Sequence, residues 1–83
     1  MAIKETWEKA LEYATSPQHG TLSRKQRSGV KLQINEGPIF ESAVIFLGSD
    51  FVRVTESREG ESVNTYYDWM GISSIRTFSK PTS

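Results

Sequence analysis

The chain has 83 residues, ten Lys or Arg against ten Asp or Glu, 36% hydrophobic and 11% aromatic residues, and no cysteine. That makes one small domain with no room for a second, and its balanced charge excludes both an acidic disordered tail and a strongly basic wrapping peptide. The missing cysteine excludes disulfides and thiolate metal sites, and no apolar run approaches the roughly 20 residues a membrane span needs.

The start, MAIKETWEK, lacks the basic-then-apolar pattern of a signal peptide, so a cytoplasmic protein with no membrane partner is expected. Ile3, Trp7, Ala10, Leu11 and Ala14 recur at helical spacing and share one face. Lys4, Glu5, Glu8, Lys9 and Glu12 occupy the others, with Glu5 and Lys9 a favourable i,i+4 pair. The helix is predicted over 3–15, because Ser16-Pro17 disfavours its continuation. Residues 16–29 read as a connector rich in Ser, Gly and Pro, and they hold the basic cluster Arg24, Lys25 and Arg27. Charge is uneven: residues 1–28 carry five basic and three acidic side chains, residues 29–83 five and seven.

From Val30 the period changes to two, with Val30, Leu32 and Ile34 alternating against Lys31, Gln33 and Asn35. Glu36-Gly37-Pro38 is a turn. Ile39 to Leu47 reads as one longer strand, with Phe40, Val44 and Phe46 on one face and Ile39, Ala43, Ile45 and Leu47 on the other. Gly48-Ser49-Asp50 turns the chain into a third strand, Phe51 to Ser57. Arg58-Glu59-Gly60-Glu61 is a polar hairpin tip. In the fourth strand, Ser62 to Trp69, Val63, Thr65, Tyr67 and Trp69 face one way, and Asn64, Tyr66 and Asp68 the other. Ile72 and Ile75 break the period and predict a 3₁₀-like turn around Gly71. A short fifth strand runs to Phe78, and 79–83 is a loose tail. One helix followed by five short strands predicts a mainly β fold, a small, strongly bent antiparallel barrel spanning 30–78, with an interior filled by side chains.

This order of elements, with VKLQINEG (Val30 to Gly37), PIFESAVIFLGSDFVRV carrying Asp50 and Phe51 at its turn, and WMGISSI (Trp69 to Ile75), resembles the Sm/LSm-like family, which includes the bacterial RNA chaperone Hfq. The resemblance spans residues 3–78. It implies an Sm-like, SH3-like barrel in a homo-oligomeric ring of five to seven subunits, the fourth strand of one subunit pairing with the fifth of the next. It also implies single-stranded RNA as partner, with Asp50, Phe51, Trp69, Met70 and Gly71 at positions that match the family's pocket. Departures bear on specificity. Ser42 stands where the family bends its long strand on a small residue, often glycine, and no asparagine follows Asp50. Asp68, Trp69 and Met70 stand where Hfq has Tyr-Lys-His, and Met70-Gly71-Ile72 keeps only the glycine of the Sm motif. The residues that read a uracil edge are therefore replaced.

Arg24, Lys25 and Arg27 could neutralise phosphates, or could simply be solvated linker. Phe51, Tyr66, Tyr67 and Trp69 could stack on bases; alternation instead assigns Tyr67 and Trp69 to core or interface, leaving Tyr66 the freer ring. His19 has no metal-ligand or catalytic company. Glu56, Glu59 and Glu61 crowd a solvent-facing tip. No phosphate loop, nucleophile elbow or zinc spacing is present, so neither an enzyme nor a cofactor is expected. The expectation is a non-catalytic ring that binds single-stranded RNA with weak base selectivity. The alternative is a structural or protein-interaction ring that has lost the RNA pocket. So compact a chain would suit a bacterium or a phage.

Overall fold

The apolar stripe of the first segment forms helix α1 (Ile3–Ala14) in the computed structural model, which describes residues 3–80. Leu11 and Ala14 are fully buried, and Trp7 packs against the core beside them. The side chain of Ile3 and the tail beyond residue 80 lie outside the described residues. Helix α1 stops one residue earlier than expected. Thr15 leaves the helix and turns its hydroxyl back to donate to the Leu11 carbonyl at 2.6 Å.

Eight strand segments follow where five were expected: β1 (Thr15–Pro17), β2 (Ser23–Gln26), β3 (Val30–Ile34), β4 (Ile39–Phe40), β5 (Val44–Leu47), β6 (Phe51–Arg58), β7 (Glu61–Asp68) and β8 (Ile75–Ser79). They form two antiparallel sheets, in the orders β1-β2-β5-β6-β7 and β4-β3-β8. The fold is mainly β with one N-terminal helix, as expected. The barrel is not closed, because β7 ends one sheet and β8 ends the other.

The connector expected over 16–29 is in fact a hairpin, β1 against β2, laid along β5. Apolar alternation could not show it, because its buried members are the polar Thr15 and Gln26. β2 and β3 run along β5 and β4 as one bent strand with residues looped out. Lys25 pairs with Val44 and Leu32 with Phe40, so one side advances seven residues while the other advances four. The excess is the turn Arg27-Ser28-Gly29, with Gly29 in the left-handed region at φ 84°. The buried Gln26 amide stitches this bend. Its Nε2 donates to the carbonyls of Val30 and Phe40, each at 2.7 Å, and its Oε1 accepts from Ala43 N at 3.0 Å. All three backbone groups lie beside the loop-out, and the buried amide gives each a partner.

The long second strand is also broken, at Glu41-Ser42-Ala43. The break changes its phase. Phe40, Ala43 and Ile45 are buried together, whereas Ile39 is 48% exposed. The expected grouping of Phe40 with Val44 and Phe46 does not hold: Phe40 faces the core, while Val44 and Phe46 pair with residues on the outer side of β6. The core is Leu11, Leu32, Ile34, Phe40, Ile45, Val52 and Val54, all at 1% exposure or less, with Trp69 and Ile72 closing one end. Each such aliphatic side chain contributes about 1.5–3 kcal/mol relative to exposure. Helix α1 lies over that end, on the 3₁₀ turn Trp69–Gly71 and on β3 and β8.

Candidate nucleic-acid interface

Two turns meet at the end of the fold beneath the start of α1. In the first, Gly48 N donates to Phe51 O at 2.8 Å, drawing Phe51 over the glycine. A Cβ at Gly48 would lie 2.9 Å from that oxygen and 3.0 Å from the Phe51 ring, so the turn needs glycine here. In the second, Asp68 caps the 3₁₀ turn by accepting from Met70 N at 2.9 Å. Trp69 joins the two, its Nε1 donating to Gly48 O at 2.9 Å and its backbone N to Asp50 O at 3.4 Å. Asn35 secures the far side, with φ 57° and an Oδ1 that accepts from Ser73 N and Ser74 N at 2.7 and 3.3 Å. Its Nδ2 donates to Gly71 O at 3.2 Å. Nothing in the sequence reading singled Asn35 out.

The structure therefore brings Asp50, Trp69 and Met70 together, with Gly71 ending the same 3₁₀ turn and Phe51 on the far side of the first turn. Asp50, Asp68, Met70 and Lys4 share a shallow cleft with Trp69. Met70 is 77% exposed, and Asp50 and Gly71 are open to solvent. Trp69 is 3% exposed, with the Lys4 ammonium 5.7 Å from its ring centre. A ring so placed closes the core and offers no face for stacking.

Phe51 lies on the other side of the first turn, on the outward face of β6. Its ring centre is 5.9 Å from that of Phe46 and 5.8 Å from that of Tyr66. Arg53 is the direct cross-strand partner of both Phe46 and Tyr66, so Phe46, Arg53 and Tyr66 form a row across β5, β6 and β7. The Arg53 guanidinium sits 5.2 Å from the centre of the Phe46 ring. Phe46 and Arg53 are not among the residues expected from the sequence to carry the site. Arg53 had a usable signal, since alternation against Val52 and Val54 puts it outward. Phe46 did not, because the break at 41–43 scrambled its phase.

The basic cluster is divided. Arg24 turns inward: its Nε donates to Thr15 Oγ1 at 2.8 Å, and its Nη2 lies 3.4 and 3.5 Å from the carbonyls of Thr15 and Glu12. It places a cation at the C-terminus of α1, whose last turn has no basic residue of its own. Arg27 lies over the Tyr13 ring at 5.3 Å. Lys25 is exposed and pairs with Val44, on the same outward face as Phe46.

Tyr67, half-buried on the inner side of β7, has its phenol pKa raised from the ordinary value, mainly by burial and secondarily by the Glu56 carboxylate. No group of three or more His, Asp or Glu able to hold a metal occurs among the described residues, and no described helix is long and apolar enough to cross a membrane. Comparison with protein-family models, with curated proteins and with solved structures gives no match.

Proposed function

We propose that the chain is a subunit of an Sm-like ring that binds single-stranded RNA without chemistry. The observation that carries the reading is that both strands such a ring would join lie at sheet edges. An Sm-like ring joins the fourth barrel strand of one subunit to the fifth of the next. Here those strands are β7 and β8, and each ends its sheet. Long unpaired edges are a liability that ring closure removes. Charge supports a head-to-tail join. Glu61 and Asp68 lie on β7 with Glu59 at its tip, where Glu56 is paired with Arg58, whereas Lys31 and Lys80 lie beside β8, whose Arg76 is paired with Glu36. Phe78, 39% exposed, lies on β8 and would gain cover.

RNA as the partner is supported by the exposed Phe51 turn and Met70 at positions where the resembled family holds a nucleotide. Base selectivity is expected to be weak. Trp69 is buried, Arg24 is engaged with the helix, and the cleft holds Asp50 and Asp68 where the family's readers would stand. Stacking accepts any base, and phosphate contacts position a strand without reading it.

The test joins light-scattering mass with filter binding to oligouridine and oligoadenosine at low and moderate salt. The expected result is a mass of several chains and binding to both oligomers that falls steeply with salt. A single-chain mass at micromolar concentration would overturn the ring. A ring that ignores both oligomers at low salt would be a structural or protein-interaction module.

A further inference from the structure

The outward face of β5, β6 and β7 has an arginine with no partner. Arg24, Arg58 and Arg76 each donate to protein acceptors. Arg53 makes no hydrogen bond or ion pair among the described residues, and its Nε is buried without a partner. It rests on the Phe46 ring, between Phe46 and Tyr66 in the cross-strand row. The Phe51 ring touches both ends of that row, and Tyr66 is 61% exposed. Lys25 adds a second cation on the same face. The nearest carboxylate on the face, Asp68, is occupied in capping Met70 N.

We propose that a strand held at the turn cleft continues onto this face, where Tyr66 and Phe51 stack on bases while Arg53 and Lys25 hold the intervening phosphates. The inference rests on the RNA-binding reading above. The chemistry fits single-stranded nucleic acid. Guanidinium groups offer forked donors to phosphate, and a ring on an open sheet face stacks on any base. A duplex hides its base faces, so the platform selects single strands. Adjacent strands lie about 4.8 Å apart, so the row from Phe46 to Tyr66 spans about 10 Å, room for consecutive bases.

The experiment is fluorescence anisotropy of labelled oligouridine on the assembled full-length chain. Tyr66→Ala is expected to weaken binding about ten-fold with the salt slope unchanged, because stacking releases no counterions. Tyr66→Phe keeps the ring and should bind as wild type. Arg53→Gln should lower the salt slope by roughly 0.7 for each engaged subunit. Photocrosslinking of a thiouridine oligomer to the unmutated chain supplies a readout independent of variant folding, with adducts expected on β6 and β7. If wild type binds while Tyr66→Ala and Arg53→Gln match it in affinity and slope, or if adducts fall only outside these strands, the platform is wrong and the RNA reading stands. If wild type fails to bind at low salt, both are wrong.

Discussion

The basic segment around β2 and the outward face of β5, β6 and β7 make opposite uses of arginine. In the first, Arg24 stands in a run of cations that looks like a phosphate site, yet its guanidinium is spent on Thr15 and the end of α1. In the second, Arg53 stands alone between two valines in an ordinary alternating strand, yet its guanidinium is unpaired and flanked by rings. A local run of charge says how many cations are present. Whether any of them is available depends on which acceptors the fold brings near, and Arg24 meets the helix carbonyls that its own hairpin delivers.

The same contrast governs the aromatic residues and gives the largest expected effect. Trp69→Ala should cost on the order of 3–5 kcal/mol in urea unfolding, because it empties the end of the core and orphans Gly48 O. Tyr66→Ala, three residues away, should stay within about 0.5 kcal/mol of wild type. Similar losses for both would erase the distinction between a closing residue and a presented one.

Next in size is the polar stitch. Gln26→Ala should cost about 3 kcal/mol, since it strips partners from Val30 O, Phe40 O and Ala43 N at a buried bend. A thermal melt that moves by less than a degree or so would mean the looped-out turn holds itself. Arg24→Ala should cost about 1–2 kcal/mol through the lost bond to Thr15 and the uncapped helix. Arg53→Gln gives up mainly its contact with Phe46, about 0.5–1 kcal/mol.

The smallest effect is a pH dependence. Tyr67 has a raised pKa in the folded chain, from burial first and Glu56 second. The folded state therefore keeps the phenol proton at a pH where the unfolded chain has released it. Stability is intact below the ordinary tyrosine value, near pH 10, and falls as pH rises beyond it. Tyr67→Phe should flatten this alkaline decline in denaturant midpoints, whereas Tyr66→Phe should not.

Much of the fold was legible because apolar residues kept a clean period. The helix over 3–14, the strands β3, β6 and β7 and the 3₁₀ turn at Gly71 all follow from that spacing. The hairpin β1–β2 was hidden because backbone pairing and two polar side chains, Thr15 and Gln26, hold it. Phe46 was misplaced because the break at Glu41-Ser42-Ala43 shifts the alternation, which no count of apolar residues records. Of the candidate site, the resemblance put Asp50 near Met70, and the two line one cleft. The fates of Arg24 and Trp69 depended on acceptors remote in sequence, Thr15 and Gly48.

The most direct test of availability against mere charge is the salt slope of oligouridine binding in Arg24→Ala and Arg53→Gln, measured at a temperature where both remain folded. Arg24→Ala is expected to lower the melting temperature and leave the slope at its wild-type value, while Arg53→Gln lowers the melt by less and reduces the slope by roughly 0.7 per engaged subunit. A reduced slope in Arg24→Ala together with a wild-type slope in Arg53→Gln would contradict that expectation.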